Sequence, residues 1–164
     1  MKKAIALILI AFPLFTFCQN YSKSDIIGEW RIIKAQLYID GGLVRTGYLK
    51  ETSGVTDTII NGPEIKKNNQ KLNEFIQKII GSKFKFSNTD SFDWDLAFDE
   101  MKMTDKYWTI IPNTNEIIVN EWADKNSLKG SLMSFIILKI ENGKLFLDSY
   151  DSDGGFKFDL ERVN

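Results

Sequence analysis

The chain has 164 residues with 43% hydrophobic, 13% aromatic and 26% charged side chains, proportions of a folded globular domain and not of a disordered or fibrous chain. Lysine and arginine number 21 against 22 aspartates and glutamates, a net charge of −1, so no basic excess exists to neutralise a phosphate backbone and a nucleic-acid partner is not expected. There is no histidine, which excludes Ser–His and Cys–His nucleophile pairs, imidazole proton transfer and histidine-ligated metals.

Residues 1–18 begin Met1-Lys2-Lys3 and continue as an apolar run from Ala4 to Phe17, broken only by Pro13 and Thr16. A short basic lead followed by a short apolar stretch is the pattern of a secretory signal. The run is shorter than the ~20 residues a helix needs to cross a bilayer, so no transmembrane span is expected. We therefore expect a secreted or periplasmic protein, with cleavage after Cys18 and one domain over residues 19–164. The alternative makes Cys18, the single cysteine, the acylation site of a lipid-anchored protein, although Phe17 stands where that pattern takes a small residue. Without Cys18 the domain holds no thiol for a disulfide, a nucleophile or a metal site.

The remainder reads as strands around one helix. Ser22–Asp25 is a polar lead-in, and Gly28-Glu29-Trp30 opens a long apolar strand. Trp30 and Ile32 fall on one parity and Ile33, Ala35 and Leu37 on the other, which predicts a bulge near Ile32/Ile33. Asp40-Gly41-Gly42 is a turn signal before a returning strand, and the polar stretch 51–62 reads as a loop. Ile65, Leu72, Ile76 and Ile79 share one helical face, with Pro63 suited to the first turn and Gly81 to a left-handed cap, which predicts a helix over 63–80. Phe84 and Phe86, then Phe92, Trp94, Leu96 and Phe98, alternate with polar residues in strand period. Hairpins are expected at Pro112–Asn115 and at Asn142-Gly143, the strongest two-residue hairpin signal in the chain. The last strand carries Phe156, Phe158, Leu160 and Arg162 on one face. Eight or nine strands joined mostly by short turns predict an all-β fold, an antiparallel up-and-down barrel whose closure removes free edges.

Four aromatic residues, Trp94, Tyr107, Trp108 and Trp122, are candidates to line a ligand cavity or equally to fill the barrel. The acidic positions Asp93, Asp95 and Asp99 are those of a solvated strand face. Ser149, Asp151, Asp153 and Gly154 match part of a calcium-loop spacing, but Leu160 takes the position of the essential carboxylate, so an Asp-Gly turn is expected and no metal site or cofactor. Met103, with Met101, falls near a barrel mouth, and the helix displays lysines on a polar face.

The segment Ile26-Ile27-Gly28-Glu29-Trp30 resembles the Gly-x-Trp opening of lipocalin-like barrels, and the chain as a whole is similar to small secreted bacterial members of that group. The resemblance implies that Gly28 permits the chain to enter the first strand, that Trp30 plugs the closed end, and that a basic residue of the last strand covers the indole. Arg162 has the position and parity for that role. The helix falls between early strands, whereas animal lipocalins carry theirs near the C-terminus. The expected function is non-enzymatic binding of a small apolar molecule inside the barrel. The alternative is a protein-interaction module with a side-chain-filled barrel and a protein partner that the sequence does not identify.

Overall fold

The computed structural model describes residues 20–52, 55–61, 69–96, 102–121, 131–150 and 154–163. In chain order they form α1 (Lys23–Ile26), β1 (Gly28–Ile39), β2 (Gly42–Thr52), β3 (Val55–Asn61), α2 (Asn69–Ile79), β4 (Lys83–Phe86), β5 (Ser91–Asp95), β6 (Met103–Ile111), β7 (Glu116–Asn120), β8 (Ser131–Glu141), β9 (Lys144–Tyr150) and β10 (Gly154–Arg162). Eight strands pair antiparallel in the ring order β1, β4, β5, β6, β7, β8, β9, β10, and β10 returns to β1, so the sheet closes into a barrel. The all-β antiparallel barrel expected from the sequence is the observed architecture.

The length of β1 makes the closure work. One edge pairs with β10 from Trp30↔Arg162 to Ile39↔Gly154. Its other edge is divided: Gly28–Arg31 pair with β4, and Lys34–Ile39 pair with β2. The register slips between Ile32 and Lys34, where the apolar pattern changes parity. One extra residue there keeps Trp30 and Ile32 on the inner face together with Ala35 and Leu37, and all four are buried.

Two sequence expectations are corrected here. Part of the stretch 51–62, read as a loop, is strand β3, paired with β2 from Thr46↔Asn61 to Thr52↔Val55. Its Val55-Thr56-Asp57-Thr58-Ile59-Ile60 sequence lacks a clean alternation, but its β-branched residues suit an extended backbone. Ser22–Asp25, read as a polar lead-in, overlaps the single turn α1, held because the Ser22 N–H and hydroxyl both donate to Asp25 Oδ2, at 2.8 and 2.7 Å. Among the described residues there are ten strands against eight or nine expected, the hairpin β2–β3 branching from the ring.

The two ends of the barrel are closed differently. At the start of β1 the strap of residues 20–27 crosses the end. At the other end α2 lies against β2, β3 and β1. Ile76, Ile79 and Ile80 of this helix region are buried, and Leu72 and Phe75 are half-buried. The predicted helix start at Pro63 lies outside the described residues, while Gly81 adopts φ +86°, the left-handed conformation expected of its stop. The Asp40-Gly41 and Asn142-Gly143 turns both have two successive positive φ values, the geometry that matches strand twist in two-residue hairpins.

The interior is aromatic. Phe84 sits at its centre with ring centroids 5.0 Å from Trp94, 5.4 Å from Phe135, 5.5 Å from Phe92 and 5.7 Å from Phe158. Phe86 meets Phe92 and Trp108, each at 5.0 Å. Most of these contacts are tilted or edge-to-face, the arrangement that the ring quadrupole favours.

The seat of α2 depends on a missing side chain. A Cβ on Gly47 would lie 2.4 Å from Ile76 Cγ2 and 3.0 Å from Ile80 Cγ1. Gly47→Ala is expected to lose about 1–3 kcal/mol by forcing the helix off β2, read as a lower denaturant midpoint, and Gly47→Val more.

Candidate functional site

Three regions have the character of a site: the closed end, the aromatic interior and the outer face of β7–β9. The closed end is built from residues far apart in sequence. The Trp30 ring is fully buried and its Nε1–H donates to the Ile26 carbonyl at 2.7 Å. Arg162 lies with its guanidinium carbon 4.4 Å from the Trp30 ring centroid. Its Nη1 donates to the Ile27 carbonyl and its Nη2 to the Asp25 carbonyl, both at 3.0 Å. The guanidinium therefore does two things at once: it covers the indole and it accepts the role of donor for the carbonyls of α1 that the helix leaves unpaired. Gly28 is part of the same arrangement, since it has φ +139° and a Cβ there would come within 3.0 Å of Arg162 Nη1. Trp30, Arg162 and Gly28 are thus brought together as the resemblance implied.

The strap adds anchors that the sequence did not reveal. The Tyr21 N–H donates to Asn115 Oδ1 at 3.2 Å and its hydroxyl accepts from Ile140 N–H at 3.2 Å. Lys23 Nζ pairs with Asp90 Oδ1 at 2.5 Å and stands 5.1 Å from the Trp108 ring. Neither residue belongs to a motif; only the fold carries the strap to these turns. The Asp25 carboxyl is held below its ordinary value, first by the Ser22 backbone N–H, then by the Ser22 hydroxyl, with Arg162 assisting and burial opposing slightly.

The four aromatic candidates do not form one cluster. Trp94 and Trp108 face the interior, each with its indole N–H satisfied, Trp94 by Ser82 Oγ at 3.0 Å and Trp108 by the Ser87 carbonyl at 3.1 Å. Tyr107 is adjacent to Trp108 in β6 and projects to the opposite face, across from Asn120 of β7. Trp122 lies outside the described residues, as do Phe98, Met101, Asp99, Asp151 and Asp153. Met103 is half-buried against the core. Trp30, Phe84, Trp108, Leu145, Leu147 and Leu160 show no accessible surface at all. A cavity able to admit even one water would give its lining side chains such surface, so the space around these six residues is filled by protein.

The acidic strand behaves as a paired surface. Asp93 stands across from Lys85 and Asp95 from Lys83, and Asp93 Oδ1 accepts the Asp105 N–H at 2.7 Å. Among the described residues no group of three or more acidic or thiol side chains is placed to hold a metal ion.

The outer face of β7–β9 is different in character. Leu132, Ile136 and Leu138 of β8 are exposed, the latter two by about half, at 51% and 52%. In the cross-strand row through Ile136, Glu116 of β7 stands on one side and Asp148 of β9 on the other. Two buried side-chain oxygens among the described residues have no hydrogen-bond partner, Asp148 Oδ1 and Asn120 Oδ1. Both belong to this outer face, Asp148 beside Ile136 and Asn120 beside Ser131. Asp148 Oδ2 pairs with Lys157 at 3.5 Å. The sequence did carry a signal for this face: Leu132-Met133-Ser134-Phe135-Ile136-Ile137-Leu138 is apolar on both parities, whereas a strand with one face in water alternates.

Comparison with protein-family models, with curated proteins and with solved structures found no match to this chain.

Two measurements check the closed end. Trp30→Ala is expected to lose about 3–5 kcal/mol of stability by denaturant unfolding, the cost of emptying a large core site. In a double-mutant cycle Arg162→Ala should be coupled to it by about 0.5–2 kcal/mol, and what it still costs once the indole is gone is the loss of the two hydrogen bonds to the Asp25 and Ile27 carbonyls. Asp25 predicts a pH effect of definite sign. Its folded-state value is depressed, so its stabilisation is complete above the unfolded value and fades as pH falls through the folded one. Asp25→Asn should therefore be less stable than the parent protein at neutral pH, and the two unfolding midpoints should converge on acidification below about pH 4.

Proposed function

We propose that this domain is an exported, non-enzymatic protein-interaction module, built on a lipocalin-like barrel of the small secreted bacterial kind and working through its outer surface. The observation that carries the reading is the filled interior. Phe84 and Phe92 have no accessible surface, and Phe86, Trp94, Phe135 and Phe158 around them have no more than 4%, while Leu132, Ile136 and Leu138 are displayed to solvent on β8. A barrel that carries a solute keeps its apolar lining partly accessible and its exterior polar; here the accessible apolar surface is on the exterior. The signal-like residues 1–18 support export, and the strap that begins at Tyr21 supports a processed or anchored N-terminus beside the closed end. No helix among the described residues is long and apolar enough to cross a membrane.

A carrier of a small apolar molecule is the second reading, supported by the end beneath α2. There Phe75 and Phe156 meet at 6.0 Å, and both are half-buried together with Leu72, Leu49 and Ile60. Native mass spectrometry of the protein, exported and purified without detergent, separates the two. The bare chain mass is expected. A reproducible additional mass released by denaturation overturns the interaction reading and makes the α2 end the binding site.

A further inference from the structure

We propose that the outer face of β7–β9 docks a second copy of this chain, forming a two-fold dimer with β8 at its centre. The inference rests on the interaction reading above and names its partner.

A two-fold interface requires a patch that complements itself, so that a residue i of one copy meets j of the other and j meets i. The β8 face has that property. At its centre Leu138 shares the outer face with Ile136 by strand alternation, and the register slip between Ile137 and Lys139 turns Lys139 outward as well. On one side lies the row Glu116, Ile136, Asp148, an exposed aliphatic residue between two carboxylates. On the other lies Lys139, spread over the Phe146 ring at 4.4 Å and next to Glu141 at 2.5 Å. A two-fold axis that lies between the two facing sheets and crosses β8 at right angles near Leu138 sets Leu138 against its own copy. The same rotation places the acidic row of each copy over Lys139 of the other, so opposite charges meet twice around an aliphatic centre.

The unpaired oxygen favours the same partner. Asp148 Oδ1 has no donor within the chain, although Oδ2 of the same carboxylate has Lys157. Buried acceptors are rarely left in this state. A rotation of the carboxylate turns Oδ1 outward, where the second copy's Lys139 ammonium is the donor supplied by the symmetry. Asn120 Oδ1, the other unpaired oxygen, lies on the same face towards the Leu132 end of β8.

Sedimentation velocity on the purified protein, from micromolar to millimolar, tests the proposal. A reversible monomer–dimer equilibrium is expected, weakened by added salt. Leu138→Asp should abolish the dimer without changing the melting temperature, because the side chain is about half exposed in the monomer. Lys139→Glu should weaken association at least tenfold, and Lys139→Glu combined with Glu116→Lys should restore most of it. Ile39→Asp, at an equally exposed aliphatic site on the β1–β2 turn, should leave the dimer intact. A protein that stays monomeric at millimolar concentration overturns the second copy as partner, as does undiminished association of Leu138→Asp. Neither result disturbs the interaction reading, which fails separately if native mass spectrometry finds a bound small molecule.

Discussion

The pairing of Trp30 with Arg162 is the constraint on which the rest of this structure depends. The two residues stand directly across from each other in the β1–β10 ladder, the ladder that closes the ring. One is the third residue of the first strand, the other the last of the final strand. Their contact therefore fixes the register of closure, and a slip of one residue would turn every side chain of β10 to the wrong face. It also fixes what lies beneath the barrel. The Trp30 N–H holds the Ile26 carbonyl, and the guanidinium holds those of Asp25 and Ile27, so the strap, α1 and the ring are one cooperative unit.

Closure sets the composition of the interior. The ring of eight strands encloses a narrow space, and a chain with 13% aromatic residues has the volume to fill it. Phe84 meets five other rings, mostly edge-on, and the indole N–H groups of Trp30, Trp94 and Trp108 each find an oxygen. Polar atoms inside are thus satisfied locally, and three of the exposed aliphatic residues, Leu132, Ile136 and Leu138, are on the exterior of β8. A filled container and an apolar outer strand are two consequences of one packing, and the proposed surface function rests on both.

The β8 strand shows how a bulge changes the meaning of a pattern. With perfect alternation Ile137 and Lys139 would share the inner face; instead Ile137 points in and Lys139 lies outside over Phe146. Lys139 thereby joins Ile136 and Leu138 on the surface. The bulge in β1 has the opposite effect, returning Ala35 and Leu37 to the core after Trp30 and Ile32. In both places one extra residue redirects several side chains, at a position that depends on the neighbouring strand.

Local sequence determined the hairpin at Asn142-Gly143, the stop of α2 at Gly81, the alternation of Phe92 and Trp94, and the bulge near Ile32, because turn chemistry, left-handed glycine and side-chain parity act within a few residues. It also held the two ends of the closed-end contact, Gly28-Glu29-Trp30 and Arg162, through a resemblance that placed them together. Only the tertiary structure decided that Val55–Asn61 is a strand, since a polar β-branched segment needs β2 beside it to choose an extended backbone. Only the tertiary structure satisfied Tyr21 and Lys23 on distant turns and left Asp148 Oδ1 without a donor. These are contacts across many residues of chain, and period and propensity carry no information about which distant partner a side chain meets.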